Sequence, residues 1–442
     1  MRYPSRATEP GRQPEARIDR QGLSGSLPFS MISLKRLNPL AAVADQVWLS
    51  MLNFSISLAF IWGASKTEYG YYILLMAPLL LVQSIQSAIV NSPLATFLPA
   101  AAESDKPNLR NTAVSLQIYL ALVCGVLGAA GLLIYEQAAE LHVEGLLLAG
   151  FVLAIIGIIA RESQRSFAYV QGQGVRAFAG DLIYGMVLLA GIALALAGDQ
   201  LSAGLVLLLT GIAGLVPLLS RAAGFHGLQT HAEPMRQFWS CGRWALPSVV
   251  VTWISLSSYP YFAEHALGLA AVADIGASRL FLMPIGLMMT AWSNWYRPRI
   301  SGWLVSGNVD AVAQITRSSL LAGWMLLATL AGLLAFAYPI VEPLLGEQYQ
   351  GLQPLVLMWL LYFAISLART VYMATLMTDA RGYKILHHIT WIALALSLPG
   401  FVLLSHNGAL WVVGVLCAVE LMQTALVIVK ARQYWKRREA QV

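Results

Sequence analysis

The chain has 442 residues, 58% of them hydrophobic and only 11% charged, with a net charge of +6. Soluble domains carry about 25% charged residues, so this composition excludes a water-soluble globular protein and points to an integral membrane protein. Cys124, Cys241 and Cys417 lie far apart in sequence, which excludes a disulfide framework and a cysteine-ligated metal.

Residues 1–39 are polar, rich in proline and basic. No apolar run follows at once on a short basic segment, as a signal peptide requires. The segment reads as a disordered cytoplasmic tail; a start at Met31, whose "MISLKRLNP" is a compact basic flank, is the alternative. A helix needs about 20 apolar residues to cross the bilayer core. Twelve such runs follow, near 40–62, 70–96, 112–135, 143–160, 177–197, 201–222, 244–263, 275–296, 312–338, 352–377, 384–405 and 409–430. The longest internal connection, 223–243, reads as a cytoplasmic linker between an N-terminal lobe (40–222) and a C-terminal lobe (244–430). A basic cytoplasmic tail, 431–442, closes the chain.

Of the 28 lysines and arginines, all but Lys66, Arg279 and Arg369 fall in or beside segments on one side of such a bundle. Glu136, Glu140, Glu144, Asp199, Glu342 and Glu347 fall on the other. By the positive-inside rule both termini are cytoplasmic, and the basic charge is a topology signal rather than a nucleic-acid footprint.

Two segments repeat. "EYGYYILLMAP" (Glu68 to Pro78) and "DIGASRLFLMP" (Asp274 to Pro284) align at a shift of 206, matching Gly70 with Gly276, Leu74 with Leu280 and Pro78 with Pro284. Arg161 and Gly174 align with Arg369 and Gly382 at a shift of 208. The expected fold is therefore all-α, with two parallel six-helix repeats related by an axis along the membrane normal. The prolines are expected to kink the second and eighth spans.

Polar groups in spans mark functional faces because they are costly against lipid. Gln46, Ser50, Asn53 and Ser57 fall at i, i+4, i+7 and i+11, one stripe of the first span. Ser248, Thr252, Ser255 and Tyr259 repeat that spacing in the seventh. The eighth carries Arg279, Thr290, Ser293 and Arg297, and Ser84, Ser87 and Asn91 of the second match the last three at a shift of 206. These stripes are the candidate walls of a hydrated cavity; helix–helix hydrogen bonding is the alternative for any single hydroxyl. Glu420, at mid-span, and Asp45 are the candidate ion-coupling acids. "GQGVRA" lacks the strand that a dinucleotide fingerprint needs. His226, His231, Glu233 and Cys241 match no zinc spacing. The His387–His388 pair reads as interfacial.

With these residues in view, the chain resembles the polysaccharide exporters of the MOP (MATE-like) superfamily, the Wzx-type lipid-linked oligosaccharide flippases. The resemblance is carried by "ADQVWLSMLNFSISLAFIWGASKTEYGYY", "RESQRSFAYVQGQGVRAFAGDLIYG", "ASRLFLMPIGLMMTAWSNWYRPR" and "LLGEQYQGLQPLVLMW", and covers most of 40–430. It implies a V-shaped two-lobe transporter of the bacterial inner membrane. Rocking of the lobes would carry an undecaprenyl-pyrophosphate-linked glycan outward for exopolysaccharide, capsule or lipopolysaccharide synthesis. It implies no cofactor, no metal and no catalytic residue, with the bilayer and the pathway's polymerase and glycosyltransferases as partners. Arg279 is the expected grip on the pyrophosphate. A MATE-like cation-coupled drug or metabolite antiporter is the alternative. A polymerase or ligase enzyme is disfavoured, because such enzymes usually need a large basic periplasmic loop and the loops here are short.

Overall fold

The computed structural model describes residues 29–139, 143–218, 228–342, 346–378 and 380–439, and these are helical almost throughout. In the first half, α1 (Phe29–Gly63) leads through Ala64 and Ser65 to α2 (Lys66–Gln86), which runs on through a π-helical turn, Ser87–Asn91, into α3 (Ser92–Phe97). Then come α4 (Lys106–Ala139), α5 (Gly145–Val170), α6 (Gly174–Ala197) and α7 (Ala203–Leu215). The second half holds α8 (Ala232–Ser257), α9 (Tyr259–Leu267), α10 (Leu269–Leu280), α11 (Met283–Val305) and α12 (Val309–Val341). It ends with α13 (Gln353–Leu376), α14 (Ala380–Leu404) and α15 (Ala409–Glu439).

Local chemistry sets the helix starts. Ser65 caps α2 by accepting the Glu68 N–H, and Ser202 caps α7 by accepting the Leu205 N–H. Glu68 in turn accepts the backbone N–H of Ala203 at 2.6 Å, so one carboxylate at the start of α2 satisfies an orphan donor of α7 and faces its positive end. Gly268, at φ +83, makes the turn between α9 and α10 that a side chain would resist.

Among the described residues nine helices are long and apolar enough to cross a membrane, or ten if the bent pair α10–α11 is one span. Among the described residues each of the twelve expected runs is mainly helical, yet two miss that standard. The sixth is apolar but short (Ala203–Leu218). The seventh, α8, is diluted by Arg243, Pro247 and its run of hydroxyls. Outward-facing apolar side chains such as Leu194, Phe336 and Leu403 are more than 70% exposed, which fits a hydrocarbon solvent better than water.

Three boundaries shift. Helix α1 starts at Phe29, inside the stretch expected to be disordered, and residues 1–28 lie outside the described residues. Helix α8 starts at Ala232, inside the expected linker, of which 223–227 (with His226) are not described. Helix α15 runs on to Glu439 through most of the expected tail.

The same helix partnerships occur in both halves: α1 packs on α6 and α8 on α14, while α5 packs on α7 and α13 on α15. The α5–α7 contact is backbone-close. Added side chains at Gly150, Gly157 and Gly214 would strike the carbonyls of Gly204, Gly211 and Gly157, the small-residue packing expected where no hydrophobic force drives helices together. The halves meet where α2 packs on α8 and α10, and where α1 packs on α10 and α11.

Candidate functional site

The repeated glycines both sit on the seam between the halves. A side chain at Gly70 would run into the carbonyl of Leu269 on α10, and one at Gly276 into Ile73 on α2. Just beyond them Lys66 forms an ion pair with Asp274 at 2.6 Å and lies 5.0 Å from the centre of the Tyr349 ring. Tyr349 packs edge-on against Tyr69, and Gln348 donates to the carbonyl of Ile61 at 3.1 Å. Burial pushes the Tyr349 phenol above its ordinary range, so Lys66 faces a neutral ring. The α1–α2 end of the molecule is thus closed by an ion pair, a cation–π contact and a hydrogen bond, all joining one half to the other.

Arg279 lies one turn along α10 from Gly276, on the same face. Its guanidinium is exposed and lies 5.2 Å from the centre of the Trp359 ring. Trp359 is itself fixed by donating to the carbonyl of Ile275. The cation suits the last turn of a helix, where carbonyls are unpaired. The chain then breaks: α11 starts at Met283 after a bend of 57°. Pro284 sits at the start of α11, just after the break, whereas Pro78 lies inside the continuous α2, so the repeated prolines stand in different settings and the chain is broken beside the second one.

The arginines buried deeper in the spans are paired. Arg165 on α5 bonds Asp45 on α1 at 3.0 Å and lies 3.2 Å from Asp181 on α6. Arg161 lies 3.7 Å from Asp181 and stacks on Tyr184. The Tyr169 hydroxyl donates to Asp45 at 2.6 Å. In the second half Arg369 on α13 pairs with Glu420 on α15 at 2.6 Å. Asp45 and Glu420, the expected coupling acids, are 0% exposed, and each pairs with an arginine through one oxygen while its other oxygen has no hydrogen-bond partner. Among the described residues Arg279 has no carboxylate within ion-pair distance, unlike Arg161, Arg165 and Arg369.

A cavity of about 270 Å³ lies between α2 and α8, lined by Leu80, Ser84, Ser248, Thr252, Trp253 and Ser257 among others. It brings together Ser84, Ser248 and Thr252 of the predicted stripes. Gln46 and Asn53 are exposed along α1, with Ser50 half-buried between them. Thr290 is exposed and Ser293 half-buried on α11, and Ser87 is exposed within the π-helical turn. Arg297 bonds the Tyr383 hydroxyl on α14. Four predicted wall residues, Ser57, Tyr259, Asn91 and Ser255, are in the core instead. Asn91 accepts from Gln117, which also contacts Gln86, inside the first half. The π-helical turn adds a residue to the helix there, which rotates Asn91 off the face of Ser84. Ser255 is fully buried, its hydroxyl bonded to the carbonyl of Val251.

Sequence reasoning expected α14 as a span but missed its side chains at the site. Tyr383, His387 and Trp391 lie at i, i+4 and i+8, and His387 contacts Ser248 at 2.8 Å while Trp391 bonds His387. The spacing was a readable signal.

No family model matches the chain, and neither does any curated protein. Solved structures do. A lipid II flippase MurJ in an inward closed conformation superposes with a TM-score of 0.70 at 12% identity, covering 91% of this chain and 90% of that one. An inward-facing multidrug resistance MATE family transporter of the MOP superfamily gives 0.66 at 13%, covering 92% and 98%. An outward-facing form of such a transporter gives 0.56 at 13%, covering 92% and 97%. The chain has the fold of the MOP superfamily transporters.

Proposed function

We propose that the protein is a flippase for undecaprenyl-pyrophosphate-linked oligosaccharides in the bacterial inner membrane, working by alternating access between two six-helix lobes with both termini in the cytoplasm. The observation that carries this reading is Arg279: an exposed guanidinium at the lobe seam, stacked on Trp359, with no carboxylate partner among the described residues. Guanidinium binds phosphate through two parallel hydrogen bonds, and an arginine already paired with an acid is not free to do so. The hydroxyls near the seam suit a sugar, whose own hydroxyls would each lose water in hydrocarbon at a cost of a few kcal/mol. No bond is made or broken, so the cavity needs no nucleophile. A cation-coupled antiporter would want unpaired acids, and Asp45 and Glu420 are both engaged by arginine.

The test is complementation of a strain lacking the gene. Arg279→Ala at wild-type abundance should stop polymer export and leave lipid-linked repeat units on the cytoplasmic side. Arg279→Lys should restore export only in part, since lysine lacks the planar fork. Normal export by Arg279→Ala would sink this assignment of the phosphate grip.

A further inference from the structure

Ser248, in the cavity between α2 and α8, holds its hydroxyl differently from serines and threonines elsewhere in these helices. Ser50, Ser84, Ser255 and Thr290 each donate to the carbonyl four residues back in their own helix, at 2.8 to 3.0 Å. That is the usual resting place of a hydroxyl in a membrane helix. Ser248 instead meets His387 across the α8–α14 interface, at 2.8 Å from Nδ1.

The direction of that bond is fixed by a third residue. Trp391 approaches His387 Nε2 at 3.0 Å through its indole N–H, and an indole N–H is a donor only. Nε2 must accept, so the imidazole is neutral and carries its proton on Nδ1. It donates that proton to the Ser248 oxygen. The Ser248 hydrogen, neither returned to its own helix nor given to the imidazole, is free to donate into the cavity.

The rest of the cavity says what it donates to. Ser84, Thr252 and Ser257 add hydroxyls, while Leu80 and Trp253 add apolar surface. Trp253 has already given its N–H to the carbonyl of Ala77 at 2.7 Å, which leaves its ring for a ligand. Among the described residues no charged side chain lines the space, which disfavours a phosphate. At about 270 Å³ it falls just below the range of about 300–1,000 Å³ for pockets that take drug-sized ligands, so it suits one ring rather than an oligosaccharide. A neutral ring with hydroxyls on its rim and C–H groups on its face matches that lining.

We propose that this cavity is a sugar-ring subsite, with Ser248 as its hydrogen-bond donor and His387, oriented by Trp391, as the positioning residue. The proposal rests on the glycolipid reading and adds to it that the ring is read apart from the pyrophosphate, on the α2–α8 seam.

The experiment compares equilibrium binding of three probes to purified protein in nanodiscs: undecaprenyl pyrophosphate alone, and the same lipid bearing glucose or N-acetylglucosamine. Wild type should bind at least one sugar-bearing probe about tenfold more tightly than the bare lipid, the scale of one good hydrogen bond with its ring contact. Ser248→Ala and His387→Leu should abolish that preference and leave bare-lipid affinity unchanged, which also shows that the variants are folded. His387→Asn, whose amide can donate from the position of Nδ1, should keep most of it. A preference that survives Ser248→Ala, or equal loss in His387→Leu and His387→Asn, would overturn the positioning role. Bare lipid that binds through Arg279 with no sugar preference in wild type would overturn the subsite while leaving the flippase reading intact. Binding of none of the three would bring down both.

Discussion

Asp274→Asn tests whether the closed end of the molecule is a gate. The substitution keeps the size of the side chain but removes the charge that faces Lys66 at 2.6 Å, where both side chains are 25% exposed. A pair this well covered is worth about 1–2 kcal/mol, above the 0–1 kcal/mol of a fully exposed pair and below the 3–5 kcal/mol for breaking a buried one. The cation–π contact of Lys66 with Tyr349 and the Gln348 hydrogen bond remain, each contributing about 1 kcal/mol. Losing about 1.4 kcal/mol lowers the closed-to-open ratio about tenfold. Spin labels at the exposed positions Gln200 and Glu347, in the two halves near this end, would report the change as a longer-distance population in pulsed electron resonance. Lys66→Met also removes the cation–π contact and should open this end further, and the double variant should be little worse than Lys66→Met alone, which already breaks the ion pair. An unchanged distance distribution in all three variants would refute the gate.

Other outcomes follow from the packing. Glu420→Gln strands the buried Arg369 and should cost about 3 kcal/mol, read as a lower unfolding temperature in detergent; Arg369→Met with Glu420→Leu should recover much of it. Gly157→Leu, at the close contact of α5 and α7, should destabilise the protein by several kcal/mol through overpacking, whereas the same change at Gly131, which has open space around it, should have little effect. A cysteine at Ser65 should react with an impermeant thiol reagent from the periplasm in intact cells, and protection until lysis would invert the proposed topology.

What the sequence made legible was the part written in local periodicity. The apolar runs became helices, and the repeated Gly70 and Gly276 landed on the seam, because only a residue without a side chain allows α2 and α10 to approach so closely. Arg279 stood out as a charge standing where the first copy has the apolar Ile73. What stayed hidden depended on long-range packing. Arg369 and Glu420 are 51 residues apart and pair only because α13 lies on α15, so the partner of this mid-span acid was not visible in the sequence. The π-helical turn at Ser87–Asn91 has no signature in a hydrophobic pattern, and it moved Asn91 from the expected wall into the core. His387 was set aside for its place near the headgroups, although its spacing from Tyr383 and Trp391 already put the three on one face.

The central claim is that the cargo is a lipid-linked glycan gripped through its pyrophosphate. The most direct measurement reconstitutes the protein in liposomes holding a labelled undecaprenyl-pyrophosphoryl oligosaccharide and follows how fast an external glycosidase gains access to the inner-leaflet pool. Wild type should give rapid access, and Arg279→Ala access no faster than protein-free liposomes. Slow access with active wild type, together with cation-driven uptake of organic cations by the same vesicles, would contradict it and assign the protein to drug export.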